Sequence, residues 1–99
     1  MKFYFINGTF KNVPQGPAFG EALQAHHAYW APFMQAGKVL FAGPKPTGAG
    51  VLVVKCENEE EVKALIAGDP FVTGGIADFE PIEFKTFFKN PAVEGWFSE

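Results

Sequence analysis

The chain has little cysteine and no long apolar run. It has a single cysteine, Cys56, which excludes a disulfide within the chain. No apolar run approaches the length that spans a bilayer, and the apolar start, residues 1–6, is too short and too aromatic for a secretory signal. We therefore expect a cytoplasmic protein with no membrane segment.

Positive charge is also scarce. Eight Lys and Arg residues are scattered among eleven Asp and Glu, which leaves a net charge of -3. Nucleic-acid binding normally requires a concentrated basic face, so we expect none. The adjacent His26 and His27 have no thiols near them at a metal-ligand spacing. We therefore expect no metal and no other cofactor.

What the chain does have is apolar content and clear periodicity. Its 99 residues are 47% apolar, enough for one compact domain, to which we assign residues 1–88. The remaining residues, 89–99, form a C-terminal tail without clear periodicity, which packs across a partner, closes a pocket or is loosely ordered. The predicted elements are a strand at 2–7, a helix at 18–36 that bends near Pro32, strands at 38–42 and 50–56, a helix from the N-cap Asn58 to about Ala67, and a strand at 76–88 bent near Pro81.

The order βαββαβ predicts an α+β, ferredoxin-like fold. Both helices would then cover one face of a four-stranded antiparallel sheet. Residues 3–6 and 51–54, however, are apolar on both faces of their strands. The predicted elements leave nothing to cover the second face, so we expect another copy of the chain to pack there in a homodimer. Five aromatic residues would then be interface or tail anchors: Phe10, Phe87, Phe88, Trp96 and Phe97.

His26 is the leading candidate for chemistry. At about 100° per residue, it falls within roughly 40° of the line that runs from Phe19 through Leu23 to Trp30 and Phe33. It therefore points inward with these apolar side chains, whereas His27 is turned roughly 80° away and lies at the edge of the stripe. An inward histidine is either an acid/base group or a core histidine bonded to a backbone carbonyl.

Asp69 in the acidic turn Asp69-Pro70-Phe71 is the candidate partner. A carboxylate bonded to one ring nitrogen fixes the imidazole tautomer and presents the other nitrogen to a substrate. The simpler role for an Asp before a Pro is to start a turn by bonding its own backbone. Trp30, Phe33 and Phe71 are candidates to stack on a flat substrate ring, or else are plain core residues.

The chain resembles the YciI-like family over nearly its whole length, about residues 2–88. The segments that carry the resemblance are His26-His27-Ala28-Tyr29-Trp30, Gly37-Lys38-Val39-Leu40-Phe41-Ala42-Gly43-Pro44, the capped acidic helix, and Asp69-Pro70-Phe71-Val72-Thr73-Gly74-Gly75-Ile76. The resemblance implies a dimeric α/β barrel of ferredoxin-like protomers. It places the family histidine on His26, which has the correct spacing to Gly37, and the family aspartate on Asp69.

The resemblance further implies an enzyme that uses this His-Asp pair, with His26 and Asp69 as the catalytic residues. One associated activity is removal of HCl from chlorinated hydroxyhydroquinones, and related barrels include muconolactone isomerases. Trp30, Phe71, Phe33 and His27 would bind the small cyclic or aromatic substrate. The chain departs from the family pattern in lacking an Arg just before the histidine and in having Pro32 and a second His. The alternatives are an isomerase and a non-catalytic dimeric module that binds a small molecule or is structural.

Overall fold

A computed structural model describes residues 1–98 of the chain and confirms the predicted ferredoxin-like α+β fold. The elements are β1 (Lys2–Phe10), α1 (Pro17–Gln35), β2 (Val39–Pro44), β3 (Gly50–Cys56), α2 (Glu59–Ala67), α3 (Pro70–Thr73), β4 (Ala77–Phe84) and α4 (Glu94–Phe97). The strands form one antiparallel sheet in the order β2-β3-β1-β4. Among the described residues, no helix is long and apolar enough to cross a membrane.

One face of the sheet is covered by the helices and holds the core. The strands alternate, so Tyr4 and Ile6 of β1 point to this face together with their partners Val54 and Leu52 on β3. Trp30 of α1 and Val62 and Ile66 of α2 pack against them. This helix face is the side on which the candidate residues of α1 lie.

The helix boundaries follow local signals. The Asn58 side chain accepts a hydrogen bond from the backbone N–H of Glu61 and so caps α2 as predicted. Helix α1 continues through Pro32 and ends just before Gly37, whose φ of 80° places it in the left-handed region. The segment predicted as a turn after Asp69 forms the short helix α3, because Asp69 caps it and Pro70 begins it.

The last strand is shorter than the predicted 76–88. Phe84 pairs with Phe3, close to the start of β1, so the chain beyond Phe84 has little strand left to pair with. Phe87 and Phe88 consequently lie outside the sheet, each 89% exposed.

The second face of the sheet, called the open face below, carries a continuous apolar row. Cross-strand pairing places Phe41, Val53, Phe5 and Ile82 side by side across all four strands. Phe41 and Ile82, at the two ends of the row, are about half exposed.

The tail covers part of this open face, which corrects the expectation that the chain has nothing left for it. Trp96 of α4 packs against Phe3 and donates its indole N–H to the carbonyl of Gly37, and Phe97 also contacts Phe3. Trp96 and Phe97 are therefore tail anchors, whereas Phe10 packs against Phe19 and Phe71 on the helix side and is not available to an interface there. Glu99, the last residue of the predicted tail, lies outside the described residues.

Candidate functional site

The site is centred on a hydrogen-bonded pair, His26 and Asp69. The imidazole Nδ1 lies 2.8 Å from Asp69 Oδ2 and 2.9 Å from Oδ1. His26 comes from the middle of α1, and Asp69 from the N-terminal end of α3, 43 residues later. The packing of α3 against α1 therefore creates the contact that the sequence analysis predicted.

Asp69 is completely buried, and its two oxygens accept further hydrogen bonds. The indole N–H of Trp30 donates to Oδ2 at 2.7 Å, and the backbone N–H of Phe71 donates to Oδ1 at 2.9 Å. A buried carboxylate is costly unless its oxygens are hydrogen-bonded in this way. Asp69 thus makes both hydrogen bonds considered for it from the sequence, the one to His26 and the local turn bond to the backbone N–H of Phe71.

Aromatic neighbours hold the imidazole of His26. Its ring stacks on that of Phe71, with 4.3 Å between the ring centroids and an interplanar angle of 8°. It also lies nearly parallel to the ring of Phe79, at a centroid distance of 5.8 Å. Gly8 leaves room for the Phe79 ring, because a Cβ atom at position 8 would lie 2.5 Å from that ring. With Nδ1 bound to Asp69, the other nitrogen, Nε2, has no hydrogen-bond partner within residues 1–98.

The imidazole borders two neighbouring cavities between α1 and the sheet. The larger, of about 350 Å³, has mostly apolar walls and lies toward the β2–β3 turn. The smaller, of about 200 Å³, lies toward the C-terminal half of α1. His26, His27, Ala42 and Leu52 border both, so the two cavities meet at the histidines. The larger cavity is completed by Phe10, Leu23, Gly43, Pro44, Ala49, Gly50, Val51, Phe71 and Phe79.

The predicted substrate-binding residues lie in different places. Phe71 lines the larger cavity, His27 lines both, and Trp30 lines the smaller one while its N–H is bound to Asp69. Phe33 borders neither cavity and packs edge-on against Tyr29 and Trp30. Sequence reasoning missed the walls supplied by Phe10 and Phe79, because a strand aromatic carries no signal that separates cavity from core.

Two other titratable groups near the core, Tyr29 and Cys56, have raised pKa values. Burial, and then the negative charge of Asp69, raises the pKa of Tyr29, whose hydroxyl donates to the carbonyl of Leu65 at 2.6 Å. Burial, with Glu61 beside it, raises the pKa of Cys56 to about 12. Its thiol therefore stays protonated at neutral pH and is a poor nucleophile.

The comparisons with known proteins agree with this architecture. The YCII-related domain family matches residues 4–85. The fold is similar to that of 5-chloro-2-hydroxyhydroquinone dehydrochlorinase, TftG, from Burkholderia phenoliruptrix AC1100, whose structure contains 2,5-dihydroxybenzoquinone. The TM-score is 0.59 at 22% sequence identity, over 85% of this chain and 92% of that one, and at this identity the likeness shows the fold alone. No curated protein matches the sequence.

Proposed function

Since the chain belongs to the YCII-related family, we propose that it is a cofactor-independent enzyme that moves protons on a small hydroxylated aromatic ring, with dehydrochlorination as the specific reaction. The observation that carries the proposal is the His26–Asp69 pair, in which Nδ1 is bound to a buried carboxylate, Nε2 has no hydrogen-bond partner within residues 1–98, and the imidazole borders a cavity. This is the arrangement that a general acid/base histidine needs. Asp69 acts as its positioning residue.

The reaction can be written with atoms and electrons balanced. His26 Nε2 takes the proton of a ring hydroxyl and returns it to the adjacent carbon that bears chlorine, which converts the enol to a ketone. A second ring hydroxyl then loses its proton while the C–Cl bond breaks and chloride leaves with the electron pair. Overall the substrate loses HCl and becomes a hydroxyquinone. The carbon that carried chlorine now carries hydrogen and is reduced, while the two hydroxyl-bearing carbons that become carbonyls are oxidised, so no external oxidant or reductant is needed. Proton transfers of this kind require no cofactor.

The cavity suits such a substrate. Its volume of about 350 Å³ is at the lower end of the range for small-molecule sites. Phe10, Phe71 and Phe79 supply flat apolar surfaces for an aromatic ring, and the imidazole provides the polar group that meets a hydroxyl. General acid/base catalysis contributes about 10²- to 10⁴-fold, and close positioning in the cavity would supply further acceleration.

We also propose that the working form is a homodimer in the cytoplasm. The apolar row on the open face supports the association, because α4 covers only the end of this face near Phe3 and leaves Phe41 and Ile82 about half exposed. Two such faces packed together would bury these side chains.

The test of activity follows chloride release and ultraviolet absorbance with 5-chloro-2-hydroxyhydroquinone, without oxygen so that the quinol does not oxidise by itself. We expect turnover by the wild type and a fall of about 10²- to 10⁴-fold in kcat for His26→Asn. Asparagine keeps an N–H donor for Asp69, so loss of activity would reflect loss of the acid/base group. Gln24→Ala, exposed on the same helix, is the matched control and should keep wild-type activity.

Equal activity of wild type and His26→Asn would contradict the role of His26. Absence of turnover on this substrate, and on a panel of phenols, quinones and muconolactones, would contradict the proposal and favour a binding module. Isomerisation of a muconolactone without chloride release would assign the site to an isomerase.

A further inference from the structure

Trp30 lies one turn after His26 on α1 and shares its hydrogen-bond acceptor. Its indole N–H donates to Asp69 Oδ2 at 2.7 Å, and His26 Nδ1 lies 2.8 Å from the same oxygen. The spacing of four residues places both side chains on one face of the helix. We propose that Trp30 is a positioning residue that orients the Asp69 carboxylate toward His26, and this rests on the proposed acid/base function.

Two donors on different elements fix the carboxylate plane. The backbone N–H of Phe71, on α3, holds Oδ1, and the indole of Trp30, on α1, holds Oδ2. With both oxygens held, the carboxylate cannot rotate about its Cβ–Cγ bond, and both oxygens stay within 2.9 Å of His26 Nδ1. Without the indole N–H, only Phe71 would keep this orientation apart from His26 itself.

The indole is itself rigid, as a positioning group must be. Its ring packs perpendicular to Tyr29 at 5.4 Å and edge-on to Phe33 at 5.8 Å, and Trp30 is 6% exposed. These contacts also explain why Phe33 lies in the aromatic stripe without reaching a cavity. Phe33 packs against the indole ring of Trp30, and this indole donates the hydrogen bond to Asp69.

The hydrogen bonds of Asp69 also offset the cost of burying its carboxylate. Asp69 is fully buried, so removal of one donor would leave part of the carboxylate without a hydrogen bond. The titratable groups around it are His26, bonded directly, and Tyr29, whose raised pKa reflects burial and the charge of Asp69. His27 follows on α1, its ring 5.6 Å from that of His26.

The chain supplies its own matched control in Trp96. It is the second of two tryptophans, and its indole N–H also donates a hydrogen bond of 2.7 Å, to the carbonyl of Gly37. Trp96 packs on the open face and borders neither cavity at His26. Trp30→Phe and Trp96→Phe therefore remove the same chemical group, once at the site and once away from it.

The first measurement is the pH profile of kcat for both variants with 5-chloro-2-hydroxyhydroquinone. For Trp30→Phe we expect kcat to fall roughly ten- to hundredfold, the rate equivalent of one hydrogen bond to a charged group, with KM nearly unchanged. Trp96→Phe should keep the wild-type profile.

The second measurement does not require Trp30 to be replaced. In Trp96→Phe the indole of Trp30 is the single tryptophan, so its fluorescence reports on Asp69 and His26 directly. We expect the emission to titrate at the same pH as the acid limb of kcat. This measurement tests the proposal even when Trp30→Phe fails to fold.

The outcomes separate this inference from the proposed function. Activity of Trp30→Phe equal to that of Trp96→Phe, while His26→Asn is inactive, would overturn the role of Trp30 alone. Emission that does not change across the acid limb would overturn it as well. Full activity of His26→Asn would overturn the proposed function itself.

Discussion

The two faces of the sheet are made by the same four strands, yet the helix face buries a carboxylate, Asp69, whereas the open face buries an amine, Lys55. On the helix face, α1, α2 and α3 bury Tyr4, Ile6 and Val54 and surround Asp69 with hydrogen-bond donors. On the open face, the apolar row from Phe41 to Ile82 remains accessible at both ends. Closure by helices gives a buried carboxylate that can hold His26, whereas incomplete closure leaves apolar surface for association.

The sharpest way to break this difference is to delete a carboxylate from each face. Asp69→Ala removes the carboxylate that accepts hydrogen bonds from His26, Trp30 and Phe71. We therefore expect the free energy of unfolding to fall by about 3 kcal/mol or more. Asp78 lies on the open face, where its exposed side chain pairs with Lys11. Asp78→Ala should cost less than about 1 kcal/mol.

Urea unfolding followed by circular dichroism measures both changes. If the two variants lost the same free energy, Asp69 would not be the fully desolvated and hydrogen-bonded centre of the helix face.

The association surface is tested next by placing a charge in the apolar row. Phe41 is 49% exposed and lies at the β2 end of that row. In a two-fold interface every substitution occurs twice, so Phe41→Lys should weaken the dimer at least about tenfold. Sedimentation over a range of concentrations measures the dissociation constant.

Val13 provides the control, because it is similarly exposed, at 44%, but lies in the loop between β1 and α1. The Val13→Lys variant should have the same dimer dissociation constant as the wild type. A wild type that stays monomeric at every concentration would refute the proposed homodimer.

The smallest expected effect concerns a carboxylate that is only partly buried. Burial opposes the charge of Glu61, but the backbone N–H of Glu57 and the neighbouring Lys38 and Cys56 outweigh it and lower the pKa of Glu61. Its folded pKa is then below the unfolded value of about 4.3, so ionised Glu61 stabilises the fold above that pH. The stabilisation disappears as the pH falls through the folded pKa.

Glu61→Gln should therefore reduce the free energy of unfolding near neutral pH by up to about 1 kcal/mol, with the difference vanishing in acid. Glu60→Gln removes a charge from the same helical turn and is the control. A difference that persisted unchanged in acid would exclude the charge of Glu61 as its cause.

Most of the fold was predictable because its signals are local. Residues 50–56 form β3 with the bounds that their apolar run predicts, and Asn58 caps α2 through the bond that its spacing to Glu61 predicts. The inward direction of His26 followed from helical periodicity alone. The strand after residue 76 was predicted too long, because alternation continues past Phe84 whereas the partner strand β1 does not.

The site was predictable in its centre but not in its surroundings. His26 is marked by its type, since a polar side chain in an apolar setting requires a partner, and the family resemblance indicated Asp69 as that partner. That Trp30 donates to Asp69 had a signal in its spacing of four residues from His26, but nothing in the chain separates that role from stacking on a ligand. Phe10 was expected at an interface and instead packs with Phe19 and Phe71.

Alternation, helical periodicity and capping residues are sufficient to specify the order of elements, because each depends on neighbours along the chain. The hydrogen bonds of Asp69, the cavity beside His26 and the contact of Trp96 with Gly37 join residues that lie far apart in sequence. These contacts exist only once the helices pack on the sheet and α4 folds back over its other face. Local pattern cannot determine which distant side chains meet, because that depends on the packing of the whole chain.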